Sequence, residues 1–315
     1  MKDNSGREIN YLRISLTKNC NLKCIYCLPE KMEHIKEDEL SLEDILKIVK
    51  NAIKLGINKI RLTGGEPLLR KDLIEIVKEI KLLGIDEIYI TTNGILLEEK
   101  LEDLKKAGLK GINISLDTLE KELFKKITRG GSLDKVISGL LKAKDMGFEI
   151  KINSVIMKGI NENSIVDLGK ITKKYNIDVR FIELMPMGEG KKYIGINNKE
   201  IYKELEEIYG FQKDFFQRKG VSEYYRLVDG KGRIGFISPI NNCFCENCNK
   251  IRLTSTGEIK RCLNMKSNIN IKDYLKSDEE IENILKIEIN KKPEKHLFGK
   301  ENIDEERKNM NEIGG

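Results

Sequence analysis

Six short segments of the chain alternate apolar and polar residues, and between them the apolar spacing widens to three and four, the period of a helix. The alternating segments, Tyr11–Leu16, Lys59–Leu62, Glu87–Thr91, Gly111–Ser115, Glu149–Val155 and Asp178–Ile182, read as strands. Helices are expected over roughly 41–55, 71–83, 98–107, 132–146 and 163–175, with Ser41 as an N-cap and Gly56, Gly84, Gly108 and Gly147 at helix ends. Strands alternating with helices mean parallel βαβ units. Six repeats rather than eight predict an α/β fold, an incomplete (β/α)6 TIM-type barrel open on one side.

The two faces of these strands differ in chemistry. Period-two alternation puts Arg13 with Ser15, Arg61 with Thr63, Thr91 with Asn93, Asn113 with Ser115, and Lys151 with Asn153 on one face. Isoleucines and leucines fill the other. A closed barrel packs its lumen with apolar side chains; a polar lumen calls for a polar ligand instead. Arg13, Arg61, Lys151 and Arg180 converge there with few matching acids, so the expected ligand is a polyanion. Asn113 and Glu183 suit such a lumen without an assignable role.

The seven cysteines fall into two groups, three within 20–27 and four within 243–262. Scattered buried thiols would not cluster so, and two metal sites are expected. The first group is Cys20-Asn-Leu-Lys-Cys24-Ile-Tyr-Cys27, a spacing that lets three thiolates share one centre. An iron–sulfur cubane so held keeps one iron open; a zinc site completed by His34 is the alternative. After about residue 195 the character of the chain changes: a helix near 199–208 precedes a hairpin of Glu223–Val228 and Arg233–Ile237, turned at Asp229-Gly230. Domains 1–195 and 196–315 are expected. Cys245, Cys248 and Cys262 then give a second three-ligand set, with a four-cysteine zinc ribbon including Cys243 as the alternative. Lys250 and Arg252 share one strand face beside it.

Length and charge exclude little. The chain has 315 residues and a net charge of +6, spread evenly, which is no nucleic-acid footprint. Its polar start and the lack of a run of ~20 apolar residues predict a cytoplasmic protein with no membrane contact. No phosphate-cradling glycine loop occurs, so any nucleotide must be held by side chains.

The first cysteine triplet, with Tyr26 before its last cysteine, resembles the signature of the radical S-adenosylmethionine (SAM) enzymes. In that superfamily the open iron binds SAM and its reduction releases a 5′-deoxyadenosyl radical. Thr63-Gly-Gly-Glu66-Pro67 resembles the superfamily motif that holds the SAM amino group, a role carried to Gly65. By the same matching, Tyr26, Ser115 and Met185 are implied SAM contacts. The combination of both triads, the basic-x-Arg step and a Gly-Gly terminus resembles one family, the molybdenum cofactor biosynthesis protein A or GTP 3′,8-cyclase family. That resemblance implies a lyase with two [4Fe–4S] clusters on Cys20, Cys24 and Cys27 and on Cys245, Cys248 and Cys262, with Cys243 a non-ligand. It implies GTP contacts at Arg13, Arg61, Thr91, Lys151, Lys250, Ile251 and Arg252. Catalytic roles fall on Arg13, Lys250, Arg252 and a flexible Gly314-Gly315 tail. The product is (8S)-3′,8-cyclo-7,8-dihydroguanosine 5′-triphosphate, formed when the ribose 3′ hydrogen is removed and the sugar carbon attacks purine C8. An external electron donor, a downstream cyclic pyranopterin synthase and a homodimer are implied partners. Lys250 departs from the family arginine. A peptide-modifying twin-cluster radical SAM maturase and a zinc-stabilised binding module are the other readings.

Overall fold

The computed structural model describes residues 1–30, 38–242, 244–296 and 308–314. His34, Cys243 and Gly315 lie outside these residues. The expected strands form β1 (Tyr11–Ser15), β2 (Lys59–Thr63), β3 (Glu87–Thr92), β4 (Gly111–Ser115), β5 (Glu149–Val155) and β6 (Asp178–Ile182), all parallel and in sequence order. Between them run α1 (Leu42–Lys54), α2 (Leu73–Leu82), α3 (Leu97–Lys106), α5 (Leu133–Asp145) and α6 (Ile165–Lys174). Ser41 caps α1 in a reciprocal box with Asp44, and positive φ at Gly56, Gly84, Gly108 and Gly147 ends helices as expected. The unanticipated α4 (Lys121–Thr128) carries four charged residues in eight, too short a segment for its period to stand out.

Apolar strand residues such as Ile14, Leu62, Ile90, Ile114 and Ile152 are fully buried against the helices in one continuous core. The sheet does not close on itself. After α7 (Asn198–Tyr209), the strands β7 (Phe211–Lys219), β8 (Ser222–Leu227) and β9 (Ile234–Ile237) extend it, and β9 lies parallel to β6. The expected hairpin is β8–β9, turned at Asp229, whose φ is 58°. At the other edge β10 (Lys250–Leu253) pairs parallel with β1 and carries β11 (Ile259–Lys260). The result is eleven strands in the order β11-β10-β1-β2-β3-β4-β5-β6-β9-β8-β7. Strands from beyond residue 195 therefore flank the six-stranded barrel wall on both sides. Helix α8 (Asp278–Asn290) packs on α1, and a last turn, α9 (Met310–Ile313), lies at the C-terminus. No helix among the described residues is long and apolar enough to cross a membrane.

Candidate active site

The lumen is a field of positive charge. Arg252, Arg13 and Arg61 stand side by side on β10, β1 and β2 at directly paired positions. One pair below them, Lys250 and Lys59 flank Tyr11. Across the sheet, Lys151 pairs with Asn113, and Arg180 with Asn153. Burial and its neighbours Arg252, Arg61 and Arg180 hold Arg13 well below the usual guanidinium range. Burial brings Lys151 down to about 8, aided by Arg180, and likewise Lys250 to about 8. At the N-terminal mouth Glu87 pairs with Lys59 and Lys110, and Asp178 with Arg233. Among the described residues, the buried Oδ1 atoms of Asn113 and Asn153 and the Nε of Arg180 have no hydrogen-bond partner. Such groups cost free energy unless a ligand satisfies them.

Sequence reading missed the two tyrosines that organise these cations. Arg61 Nε donates to Tyr11 Oη, and the cationic heads of Lys59, Arg61 and Lys250 lie 5.5–5.9 Å from the Tyr11 ring centroid. Tyr89 receives Lys59 at 4.3 Å and Arg61 at 5.2 Å. Burial raises the Tyr11 phenol, but Arg61, Arg13 and Lys250 outweigh it and bring the group down to about 7. Both rings sit at the register of the cations, two residues before Arg13 and Thr91, so strict alternation points to them.

The first cysteine loop follows β1 at the C-terminal end of the barrel, and α4 holds it. Lys23 and Ile25 N–H groups donate to the carbonyls of Thr128 and Ile127 at 3.2 and 2.9 Å. Arg129 donates to the carbonyl of Leu28 at 2.9 Å, and Tyr26 Oη donates to Asp117 at 2.8 Å. The charges of Cys20, Cys24 and Cys27 act on one another. Burial pushes Cys20 up to about 11 and Cys27 to about 12, and raises Cys24 still more clearly with Cys27 and Asp117 beside it. Thiols so reluctant to ionise become thiolates only where a cationic centre takes up their charge, and iron does so.

In the second triad Cys248 has the opposite electrostatics. Burial raises Cys248, yet Lys292, Lys250 and Arg252 outweigh it and lower the thiol. Cys262 also acts on Arg252, so Cys248 and Cys262 face the same guanidinium. Arg7 fixes the loop from behind: it pairs with Asp3 at 2.6 Å and donates to the carbonyls of Cys245 and Pro293 at 3.0 and 2.9 Å. Among the described residues no three Cys, His, Asp or Glu form a group for one metal ion. A cubane does not require one, because each thiolate takes a separate iron. The donor sets fit two three-cysteine clusters.

The C-terminal turn joins the two triads. Asn311 donates through Nδ2 to the carbonyl of Lys18 at 2.9 Å and through its backbone N–H to Cys27. Three residues on, the carbonyl of Gly314 accepts from Arg252 at 2.9 Å. Gly314 has φ 70°, and a Cβ there would lie 2.9 Å from Ser15 Cβ and 3.1 Å from Thr63 Cγ2. The tail expected to be flexible is docked as a capped turn, with Ile313 buried beneath it.

Other expected residues land as follows. Ser115 lies beside Asn153, and Met185 O lies 2.7 Å from where a Gly190 Cβ would stand. Arg61 reaches Thr91 Oγ1 at 3.5 Å. Ile251 points into the apolar core, so only its backbone faces the lumen side. Gly64 and Gly65 press on the backbone of Thr17, Lys18 and Asn19: a Cβ on either would meet a carbonyl oxygen at 2.3 Å. Glu183 has a structural task, accepting from the N–H groups of Ile240 and Asn241 at 3.1 Å and from Asn241 Nδ2 at 2.9 Å.

Comparison with known proteins agrees with this geometry. Residues 14–170 match the Radical SAM superfamily and residues 177–298 match Molybdenum Cofactor Synthesis C. Two solved structures share the fold at 17% identity. SuiB of Streptococcus suis bound to S-adenosylmethionine has a TM-score of 0.64, over 88% of this chain and 68% of that one. Native anSMEcpe with bound AdoMet has a TM-score of 0.55, over 91% and 82%. A partial barrel with a three-cysteine loop at its C-terminal mouth makes this a radical SAM protein. Among curated relatives, a GTP 3′,8-cyclase of Clostridium perfringens is 47% identical over 323 residues, covering all of both chains. That of Clostridium botulinum strain Hall is 45% identical over 325 residues, again covering all of both. The chain belongs to the GTP 3′,8-cyclase family.

Proposed function

We propose that this chain binds GTP in the cationic lumen and closes its ribose onto its purine, the step that opens molybdenum cofactor synthesis. The observation that carries the proposal is the Arg252–Arg13–Arg61 row between the two cysteine triads. Three adjacent guanidiniums at paired strand positions match a triphosphate. Lys151 adds charge from the facing strand.

Cys20, Cys24 and Cys27 would hold the SAM-binding [4Fe–4S] cluster, and Cys245, Cys248 and Cys262 a second cluster at the purine end. When bound, the first cluster and SAM supply the radical that takes the ribose 3′ hydrogen. Gly65, Ser115, Met185 and the backbone at Tyr26 line the SAM side. The Gly65 N–H is spent on the carbonyl of Thr17 at 2.7 Å, so its own carbonyl is the group for an ammonium. Arg13, Arg61, Thr91, Lys151, Lys250, Arg252 and the Ile251 backbone line the GTP side. Lys250 lies under the Tyr11 ring system and offers a point charge where a guanidinium would offer a fork. The tail, spanning ~5 Å between Asn311 and Gly314 at helical rise, would hold the mouth shut while the substrate radical is guided. Domains 1–195 and 196–315 divide the roles, SAM in the first and the second cluster in the other. An external electron donor, transfer of product to a cyclic pyranopterin synthase, a homodimer and a cytoplasmic setting complete the reading.

Anaerobic reconstitution tests it. About eight irons per chain are expected for two cubanes, with SAM- and GTP-dependent cyclised product. Stoichiometric zinc without iron would overturn the cluster assignment.

A further inference from the structure

Glu66 is a carboxylate with no exposed surface and, among the described residues, no cation acting on it. Burial pushes it up to about 7, against three donors. Its Oε1 accepts from Thr92 Oγ1 at 2.8 Å and from the Leu68 N–H at 3.0 Å. Its Oε2 accepts from the Asn93 N–H at 2.7 Å. Its own N–H donates to the carbonyl of Asn19 at 2.8 Å, next to Cys20. A buried carboxylate kept at this cost is holding something in place.

What it holds is Asn93. Glu66 fixes its backbone, and the Asn93 side chain is pinned separately, Oδ1 accepting from the Ile95 N–H at 3.0 Å. That leaves Nδ2 aimed at the first cysteine loop, where it donates to Asn21 Oδ1 at 2.8 Å and to Cys20 Sγ at 3.8 Å. The Leu22 N–H also points at Cys20 Sγ, at 3.4 Å. Cys20 thus sits under three donors, the Leu22 and Asn21 N–H groups and the side-chain amide of Asn93, whose backbone Glu66 fixes.

We propose that Glu66 and Asn93 are positioning residues of the first cluster, an amide clamp that sets the place of Cys20 and the reduction potential of the iron it binds. This rests on the assignment of Cys20 as a ligand. Hydrogen bonds to cluster sulfurs are among the levers on potential. A donor on a thiolate stabilises the reduced, more negative cluster, so removing it moves the potential in the negative direction. The carboxylate does not touch the sulfur; it acts by fixing the backbone of Asn93, from which the side-chain amide reaches Cys20.

The test is an anaerobic redox titration of reconstituted full-length protein followed by electron paramagnetic resonance, the first cluster being the signal that changes on addition of SAM. Asn93→Ala should keep wild-type iron content and the second cluster's midpoint, while the first cluster's midpoint moves negative. An unmoved first midpoint at full iron content would overturn the proposal. Should Asn93→Ala fail to fold, wild-type protein labelled with 15N at asparagine side chains gives an independent reading. A 15N coupling to the first cluster is expected in pulsed resonance, and its absence removes the clamp. Cys20→Ser should abolish the SAM-responsive signal; if that signal survives, the ligand assignment fails rather than the clamp.

Discussion

At the scale of single residues, the lumen is defined by cations gathered at neighbouring strand positions. If Arg61 and Lys151 bind a triphosphate, Arg61→Ala and Lys151→Ala should each weaken GTP binding about ten- to hundredfold, since a charge-assisted contact contributes roughly 1.5–3 kcal/mol. SAM cleavage should persist in both, and calorimetry with a SAM-cleavage assay separates the two effects. Binding should also depend on pH in a fixed direction. Lys151, lowered to about 8, is losing its proton above that value in the free protein, and a bound polyanion restores it. Tyr11, lowered to about 7, becomes a phenolate that an arriving phosphate must displace or protonate. Both make nucleotide binding take up protons, so GTP affinity should fall as pH rises from about 7 to 9, by at most about tenfold per unit for each proton. Lys151→Gln and Tyr11→Phe should each flatten part of that slope in a calorimetric pH series. An affinity rising with pH would contradict the reading of both groups.

At the scale of elements, periodicity in the sequence located the six barrel strands to within a residue or so, because polar lumen and apolar core alternate along most of their length, with Ser154 and Ile182 as exceptions. The cysteine triads were equally legible, since thiol spacing is a local property. What stayed hidden depends on contacts far apart in sequence. Nothing in Lys250–Leu253 alone says that it pairs with β1 and sets Arg252 beside Arg13. Nothing in residues 121–128 says that this helix supports the Cys20–Cys27 loop. The glycine pair at 64–65 reads as a ligand-approach motif, yet its nearest neighbours are the backbone of residues 17–19. The family resemblance implies a flexible Gly314-Gly315 tail, and nothing local in the sequence reveals the anchors of its described part, Lys18, Cys27 and Arg252, which lie elsewhere in the chain. Gly314→Val tests its role: a β-branched side chain at φ 70° would be strained and would crowd Ser15 and Thr63. Iron content and thermal stability should stay near wild type while cyclised product falls about tenfold or more, as misplaced reacting groups do. Full turnover by Gly314→Val would make the docked turn incidental.

At the scale of the whole molecule, the two halves of the chain share one sheet. The barrel wall has β1 and β6 at its edges, and both are covered by strands that come after residue 195, β10 on one side and β9 on the other. A fragment of residues 1–195 would expose two long parallel edges and part of the core beneath them, which invites aggregation. It should be recovered as aggregates under conditions where the full chain is monodisperse, as size-exclusion chromatography would show; a folded, cluster-binding fragment would mean that the halves are independent. The continuous sheet also brings the two triads to one lumen, with Arg252 and the tail between them.

In the function proposed above, the lumen places the GTP ribose where a SAM-derived radical can reach its 3′ carbon. The most direct measurement supplies GTP deuterated at ribose C3′ to the reconstituted protein with SAM and a reductant, and follows the label by mass spectrometry. Deuterium should appear in 5′-deoxyadenosine, in step with a cyclised nucleotide that has lost it. Unlabelled 5′-deoxyadenosine, with GTP recovered intact, would contradict the account.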